Sequence, residues 1–261
     1  MVRPAVLGGI CLAAMVTATP AAQQASPSAA DLVRGILDSD PWGLGDAEVT
    51  ASVRIRDHSG RVRELAFTAQ SRRYEGHLTK SLVRFTSPSD LAGVGFLQIQ
   101  NENKDDDRWL YLPELGRSRR VSGATRQGAF MGTDFSFADL DRRDLRHSSA
   151  KITGEEPIDG TPCWKLDATP TGGDSPYGRL EIWINRANGV PLQWRMYARS
   201  GVLLKTLVAR ETRQIEGRWF IVASVMTNHA ERRETELTLD RIVPTSQIPD
   251  HIFTLRNLEK S

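Results

Sequence analysis

From Val49 onward the chain alternates apolar and polar residues. Val49, Ala51, Val53 and Ile55 fall on one face, and Thr50, Ser52, Arg54 and Arg56 on the other, the pattern of a strand with one buried side. Asp57-His58-Ser59-Gly60 reads as a hairpin turn, and Leu65, Phe67 and Ala69 carry the return strand. Further strands are predicted over residues 77–86, 94–100 and 108–112, then over 148–155, 162–169, 179–184, 190–199, 202–213, 218–229 and 234–243. Asp159-Gly160, Asn188-Gly189, Ser200-Gly201 and Glu216-Gly217 supply turns between them. Connections this short make neighbours antiparallel. The strands at 202–213 and 218–229 are apolar on both faces in their central parts, which places them mid-sheet with helices or loops on one side.

Two segments have a different period. Leu32, Val33, Ile36 and Leu37 line one face of a short helix behind a Ser28-x-x-Asp31 cap, and residues 38–46, with Pro41, Gly43 and Gly45, end it. Ile248 to Phe253 reads as a short closing helix against the sheet edge. About eleven antiparallel strands with two or three short helices cannot stay flat and open, so the expectation is a single strongly curved antiparallel sheet.

The stretch RWLYLPELGRSRRVSGATRQGAFMGTDFSFADL, Arg108 to Leu140, joins the two sets of strands. Trp109 and Tyr111 share one face of a strand and Leu110 and Leu112 the other; Pro113, which has no N–H to donate, stops the ladder. A basic segment with Arg117, Arg119 and Arg120 precedes Val121, and a polar loop ends in Phe130, Met131, Phe135 and Phe137, four large apolar groups in eight residues. Ser136-x-x-Asp139 has the form of a capping box and predicts a short helix from Phe137 to about Arg143.

The run WLYLP, then Arg119-Arg120 before an aliphatic residue, then FMGTDFSF-x-DL resembles the signature of the LolA-like outer-membrane lipoprotein-sorting protein family. Its fixed positions here are Trp109, Tyr111, Pro113, Arg119, Arg120, Phe130, Met131, Gly132, Asp134, Phe135, Asp139 and Leu140. The resemblance implies a periplasmic, half-open β-barrel with short helices covering its concave face and an apolar cavity for acyl chains. It implies Trp109, Tyr111, Phe130, Met131, Phe135 and Phe137 as cavity wall or lid, with ordinary core packing as the alternative for each. Arg119 and Arg120 would meet a headgroup or, as a structural ion pair, a carboxylate such as Asp134. The implied ligand is an acylated lipoprotein or lipid, with an inner-membrane RND-type or ABC exporter and an outer-membrane acceptor as partners. In this family the N-terminal helix lies across the mouth of the sheet, where Trp42 would plug the cavity or simply pack. The signature looks typical of a subfamily associated with RND-type lipid exporters, and the chain is longer than the lipoprotein chaperone that gives the family its name. The ligand class therefore extends to free lipids and hydrophobic metabolites. A barrel filled by its own side chains would instead suit a non-enzymatic interaction module of an export complex.

Composition narrows the choice. Among 261 residues, 34 Lys and Arg face 32 Asp and Glu, a formal charge of +2, whereas a nucleic-acid binder carries a clustered basic excess. The local clusters Arg117, Arg119, Arg120 and Arg142, Arg143, Arg146 are solvated faces or meet an anionic partner. Arg3, an apolar core from Val6 to about Val16 and the small residues Thr19-Pro20-Ala21-Ala22 read as a secretory signal peptide over residues 1–22. A linker over 23–30 and one domain over 31–261 follow. Cys11 sits poorly for lipid attachment, and cleavage near Ala21 or Ala22 leaves Cys163 as the lone thiol, so the core must hold the exported fold.

Catalytic patterns find no support. His58, His77, His147, His229 and His251 are scattered, none at metal-ligand spacing. Gly93-x-Gly95 lacks the third glycine and the helix of a dinucleotide loop. The acidic stretch over 101–107 fails the EF-hand spacing and reads as a hairpin loop. Asp134 and Asp139 suit capping better than paired acid–base chemistry. The expectation is a carrier rather than an enzyme, with no cofactor.

Overall fold

The computed structural model describes residues 26–38, 46–75, 78–102, 104–140, 143–172, 175–245 and 247–260. The predicted signal peptide, Cys11, His77 and Trp42 lie outside the described residues. Helix α1, Ala29–Asp38, starts at the expected cap: the Asp31 amide donates to Ser28 Oγ at 3.1 Å and the Ser28 amide to Asp31 Oδ2 at 3.2 Å. Two orphan donors are thereby satisfied, as in a capping box.

Thirteen strands follow: β1 (Ala47–Arg56), β2 (Val62–Tyr74), β3 (Leu78–Ser87), β4 (Gly95–Ile99), β5 (Asp107–Leu112), β6 (Arg117–Arg120), β7 (Ser148–Glu155), β8 (Cys163–Pro170), β9 (Arg179–Asn185), β10 (Pro191–Tyr197), β11 (Leu203–Ile215), β12 (Arg218–Asn228) and β13 (Arg233–Pro244). They form one antiparallel sheet in the order β6-β5-β4-β3-β2-β1-β13-β12-β11-β10-β9-β8-β7. Two meanders, β1 to β6 and β7 to β13, are thus joined by a single non-local pairing, in which Val53 opposes Leu237. Bulges interrupt the register at Thr50/Ala51 and at Ala209/Glu211, and such irregularities increase local twist and bend a sheet. The sheet does not close, because its free edges are β6 and β7.

Those two edges are consecutive in sequence, which fixes the task of the signature segment. Residues 121–147 must cross from one edge to the other over the concave face. Val121, Phe130, Phe137 and Leu140 bury against Val49, Phe67, Phe85 and Phe96 of the first meander. Helix α2, Arg143–Arg146, then delivers Leu145 to the second, where it packs with Ile36, Leu166 and Met226. Phe135 touches both clusters.

Three expectations are corrected. Strand β6 replaces the turn that Arg117, Arg119 and Arg120 suggest, since charge on an edge strand protects it from pairing with another sheet. The Ser136-x-x-Asp139 cap forms, with the Ser136 amide donating to Asp139 Oδ2 at 2.7 Å and the Asp139 amide to Ser136 Oγ at 3.3 Å. Residues 137–140 nevertheless make a turn, and the described helix is Arg143–Arg146; the Phe137 and Ala138 amides donate to the Gly128 and Arg126 carbonyls of the preceding loop, at 3.2 and 2.9 Å, which ties this turn to the loop. The closing segment forms a 3-10 turn at Asp250–Phe253 and α3 at Leu255–Leu258. It covers the outer face of β3 to β5 rather than an edge, with Ile248, Phe253 and Leu258 packed on Leu82, Leu97 and Tyr111. Gly95 permits this approach, since a Cβ there would stand 2.7 Å from Leu258 Cδ1.

Candidate functional site

The FMGTDF run is a tight hairpin laid on the sheet. Phe130 and Phe135 pair through an amide-to-carbonyl bond of 2.7 Å, and the Thr133 amide returns to Phe130 O at 3.0 Å. Met131 and Gly132 both have positive φ, 50° and 77°, the combination of a type I′ turn, which glycine adopts without steric cost. Asp134 anchors the hairpin to β13. Its side chain is fully buried and accepts from Arg233 Nε at 2.8 Å and Thr235 Oγ1 at 2.6 Å.

That anchoring sends the four aromatic and thioether groups to different places. Phe130 and Phe137 fill the first meander, with Phe130 ring centroids 5.9, 5.2 and 5.4 Å from Phe85, Phe96 and Phe137. Met131 rests on the edge of the same cluster. Phe135 instead reaches the second meander and lines a cavity of about 420 Å3. The wall on the sheet side is apolar, with Leu180, Met196, Leu207, Phe220 and Met226, and the cover comes from Leu140, Leu145 and Gly35. Among the described residues, one half of the concave face is therefore filled and the other is open.

Trp109 and Tyr111 lie elsewhere. They pack on the outer face with Leu97 and Phe253, apart from the cavity, because the residues of β5 that point inward are Leu110 and Leu112. The expected pairing of Arg119 or Arg120 with Asp134 is also corrected. Arg120 sits on the edge strand, 2.6 Å from Asp107, and Asp134 takes Arg233, since five strands lie between β6 and β13.

Sequence reasoning missed the polar cluster in the cavity wall. Asp139 receives Lys205 Nζ at 2.8 Å and the Tyr177 hydroxyl, while Asp144 receives Arg126 Nη2 at 3.1 Å across the cover. The partners are 38 and 66 residues away from Asp139 in sequence, so no local pattern could announce them. Burial, reinforced by the neighbouring Asp139 carboxylate, raises the Tyr177 phenol well above its ordinary range. A folded-state pKa above the unfolded value near 10 means that this stabilising contribution is complete below about pH 10 and is lost as pH rises beyond it. Urea unfolding of wild type is expected to weaken above that pH more steeply than that of Tyr177→Phe; equal slopes would refute the assignment.

Among the described residues there is no cluster of His, Cys, Asp or Glu placed to hold a metal ion, and no helix is long and apolar enough to cross a membrane. A family model described as "Uncharacterized protein" matches residues 77–260. No curated protein matches the chain. A Vibrio parahaemolyticus domain described as an outer membrane lipoprotein-sorting protein domain is 28% identical, with a TM-score of 0.81 over 88% of this chain and 97% of that one. A DUF1329 family protein from Desulfovibrio piger is 26% identical, with a TM-score of 0.80 over 87% and 96%. A LolA superfamily protein from Nitrosomonas europaea shares the fold at 20% identity, with a TM-score of 0.68 over 88% and 98%.

Proposed function

The chain belongs to the family of uncharacterized proteins whose model spans residues 77–260, and we propose that it is a periplasmic carrier that shields the acyl chain of a lipoprotein or lipid. One observation carries this reading. The phenylalanine cluster fills only the β1 to β5 side of the concave face, and the β9 to β12 side keeps an apolar cavity of about 420 Å3, a size within the range of about 300–1,000 Å3 usual for ligand sites. The likeness to a domain described as lipoprotein-sorting supports the class of cargo.

Carriage of this kind makes and breaks no covalent bond. Each methylene removed from water contributes about 0.8 kcal/mol, so a chain of about sixteen carbons supplies roughly 10 kcal/mol before entropic costs. Such binding protects the chain in transit and yields it to a partner offering equal burial. An inner-membrane RND-type or ABC exporter is the corresponding donor, and an outer-membrane protein the acceptor. An interaction module with a filled barrel fits less well, because half of this barrel is open.

Trp194 and Trp219 line the cavity and give a direct test. A dibrominated fatty acid is expected to quench tryptophan fluorescence saturably, and Trp194→Phe combined with Trp219→Phe to abolish most of the quenching. Quenching that never saturates, or that survives the double substitution, would count against a ligand in this cavity.

A further inference from the structure

The cavity's apolar wall accounts for a chain, and its rim carries a charge that an apolar ligand would leave unused. On β2, Leu65, Phe67, Ala69 and Ser71 are buried at every second position, and continuing that alternation puts Arg73 on the same concave face. On β12, Phe220, Val222, Ser224 and Met226 do the same, which puts Arg218 there. Both arginines line the cavity, and both residues contact Asp46, Arg73 through its backbone amide and Arg218 through its guanidinium. The Arg73 amide donates to Asp46 Oδ1 at 2.7 Å, and Arg218 Nη2 donates to the Asp46 carbonyl at 2.9 Å. Arg218 is further steadied over the Phe220 ring, 5.3 Å from its centroid.

The other charges of the cavity are matched. Asp139 has Lys205 and Asp144 has Arg126. No carboxylate among the described residues forms an ion pair with Arg73 or Arg218, and the single Asp46 carboxylate offsets at most one of the two positive charges. Among the described residues the uncompensated charge of the cavity is thus positive and lies at one end of its apolar lining. Guanidinium groups pair with carboxylate and phosphate oxygens through parallel N–H donors.

We propose that the cargo is an acidic amphiphile, an apolar chain ending in a carboxylate or phosphate, whose acidic group is held at the rim by Arg73 and Arg218. The proposal rests on the carrier reading above and adds the headgroup class to it. A cationic amphiphile with the same chain is disfavoured by the same two arginines.

Titration calorimetry with four chain-matched probes separates the two ideas: dodecanoate, dodecyl phosphate, dodecanol and dodecyltrimethylammonium. Because the rim is solvated, the expected preference for the acidic probes over dodecanol is about tenfold at low salt, shrinking at high salt. Comparison of dodecanoate with dodecyl phosphate identifies which acid the rim prefers. In Arg73→Gln combined with Arg218→Gln the preference is expected to disappear while dodecanol still binds, which reports an intact cavity; lysine at both positions should restore part of the preference. Equal affinity of wild type for dodecanoate and dodecanol would overturn the headgroup proposal and leave the carrier reading standing. A preference that persists in the double variant would overturn the assignment to these arginines. Binding of none of the probes would remove the carrier reading and the proposal with it.

Discussion

Phe130→Ala is expected to lower the stability of the fold by about 3–5 kcal/mol. The ring is 4% exposed and meets three other phenylalanines within 6 Å between centroids, two of them edge-on, an arrangement that adds roughly 0.5–1.5 kcal/mol per pair beyond burial. The type I′ turn behind it fixes its position, so the surroundings cannot collapse into the space. Its location magnifies the consequence, since residues 121–147 bridge the two free edges of the sheet and Phe130 is the anchor on the first side. Domains are commonly stable by only about 5–15 kcal/mol, so much of the native margin is at stake. Urea unfolding followed by fluorescence measures the loss, and a cost under about 1 kcal/mol would mean that the crossing segment is held elsewhere.

Ala209→Trp is expected to do the opposite, sparing the fold and abolishing carriage. Ala209 lies in β11 at a bulge and lines the open half of the concave face. An indole there occupies empty space rather than displacing packed atoms, so stability should change by less than about 1 kcal/mol, in contrast with overpacking of a filled core. Displacing even four methylenes of a bound chain costs about 3 kcal/mol, on the order of a hundredfold in affinity. Fatty-acid titration of the folded variant provides the measurement. Wild-type affinity in a correctly folded Ala209→Trp would place the ligand outside this cavity.

The sheet was legible because its signal is local. Val49 to Arg56 alternates cleanly, Asn188-Gly189 marks its own hairpin, and the Ser28 and Ser136 caps form between the residues that the spacing names. The single curved sheet followed from strand number alone. What escaped depends on contacts between distant segments. Strand β6 looks polar because it is an edge. Residues 137–140 satisfy a capping pattern but form a turn tied to the Arg126 and Gly128 carbonyls of the preceding loop.

The site was legible only in part for the same reason. FMGTDFSF does cross between the two halves of the sheet, but alternation along the chain does not say which meander each ring enters. Only Phe135 turns toward the open half, while Trp109 and Tyr111 go to the outer face under the C-terminal segment. Most of the cavity wall belongs to β9 through β13, where apolar residues on both faces hide which side is vacant. Arg73 and Arg218 are 145 positions apart (218 − 73) in the chain, and only the β1–β13 pairing brings their strands to one rim.

The most direct test of the account is native mass spectrometry with lipid extraction on protein purified from a periplasmic fraction. The wild-type protein is expected to carry a stoichiometric acyl lipid or lipopeptide, bearing an acidic headgroup, that is absent from Ala209→Trp. A clean ligand-free mass, with no uptake of added fatty acid or phospholipid, would contradict it and favour an interaction module.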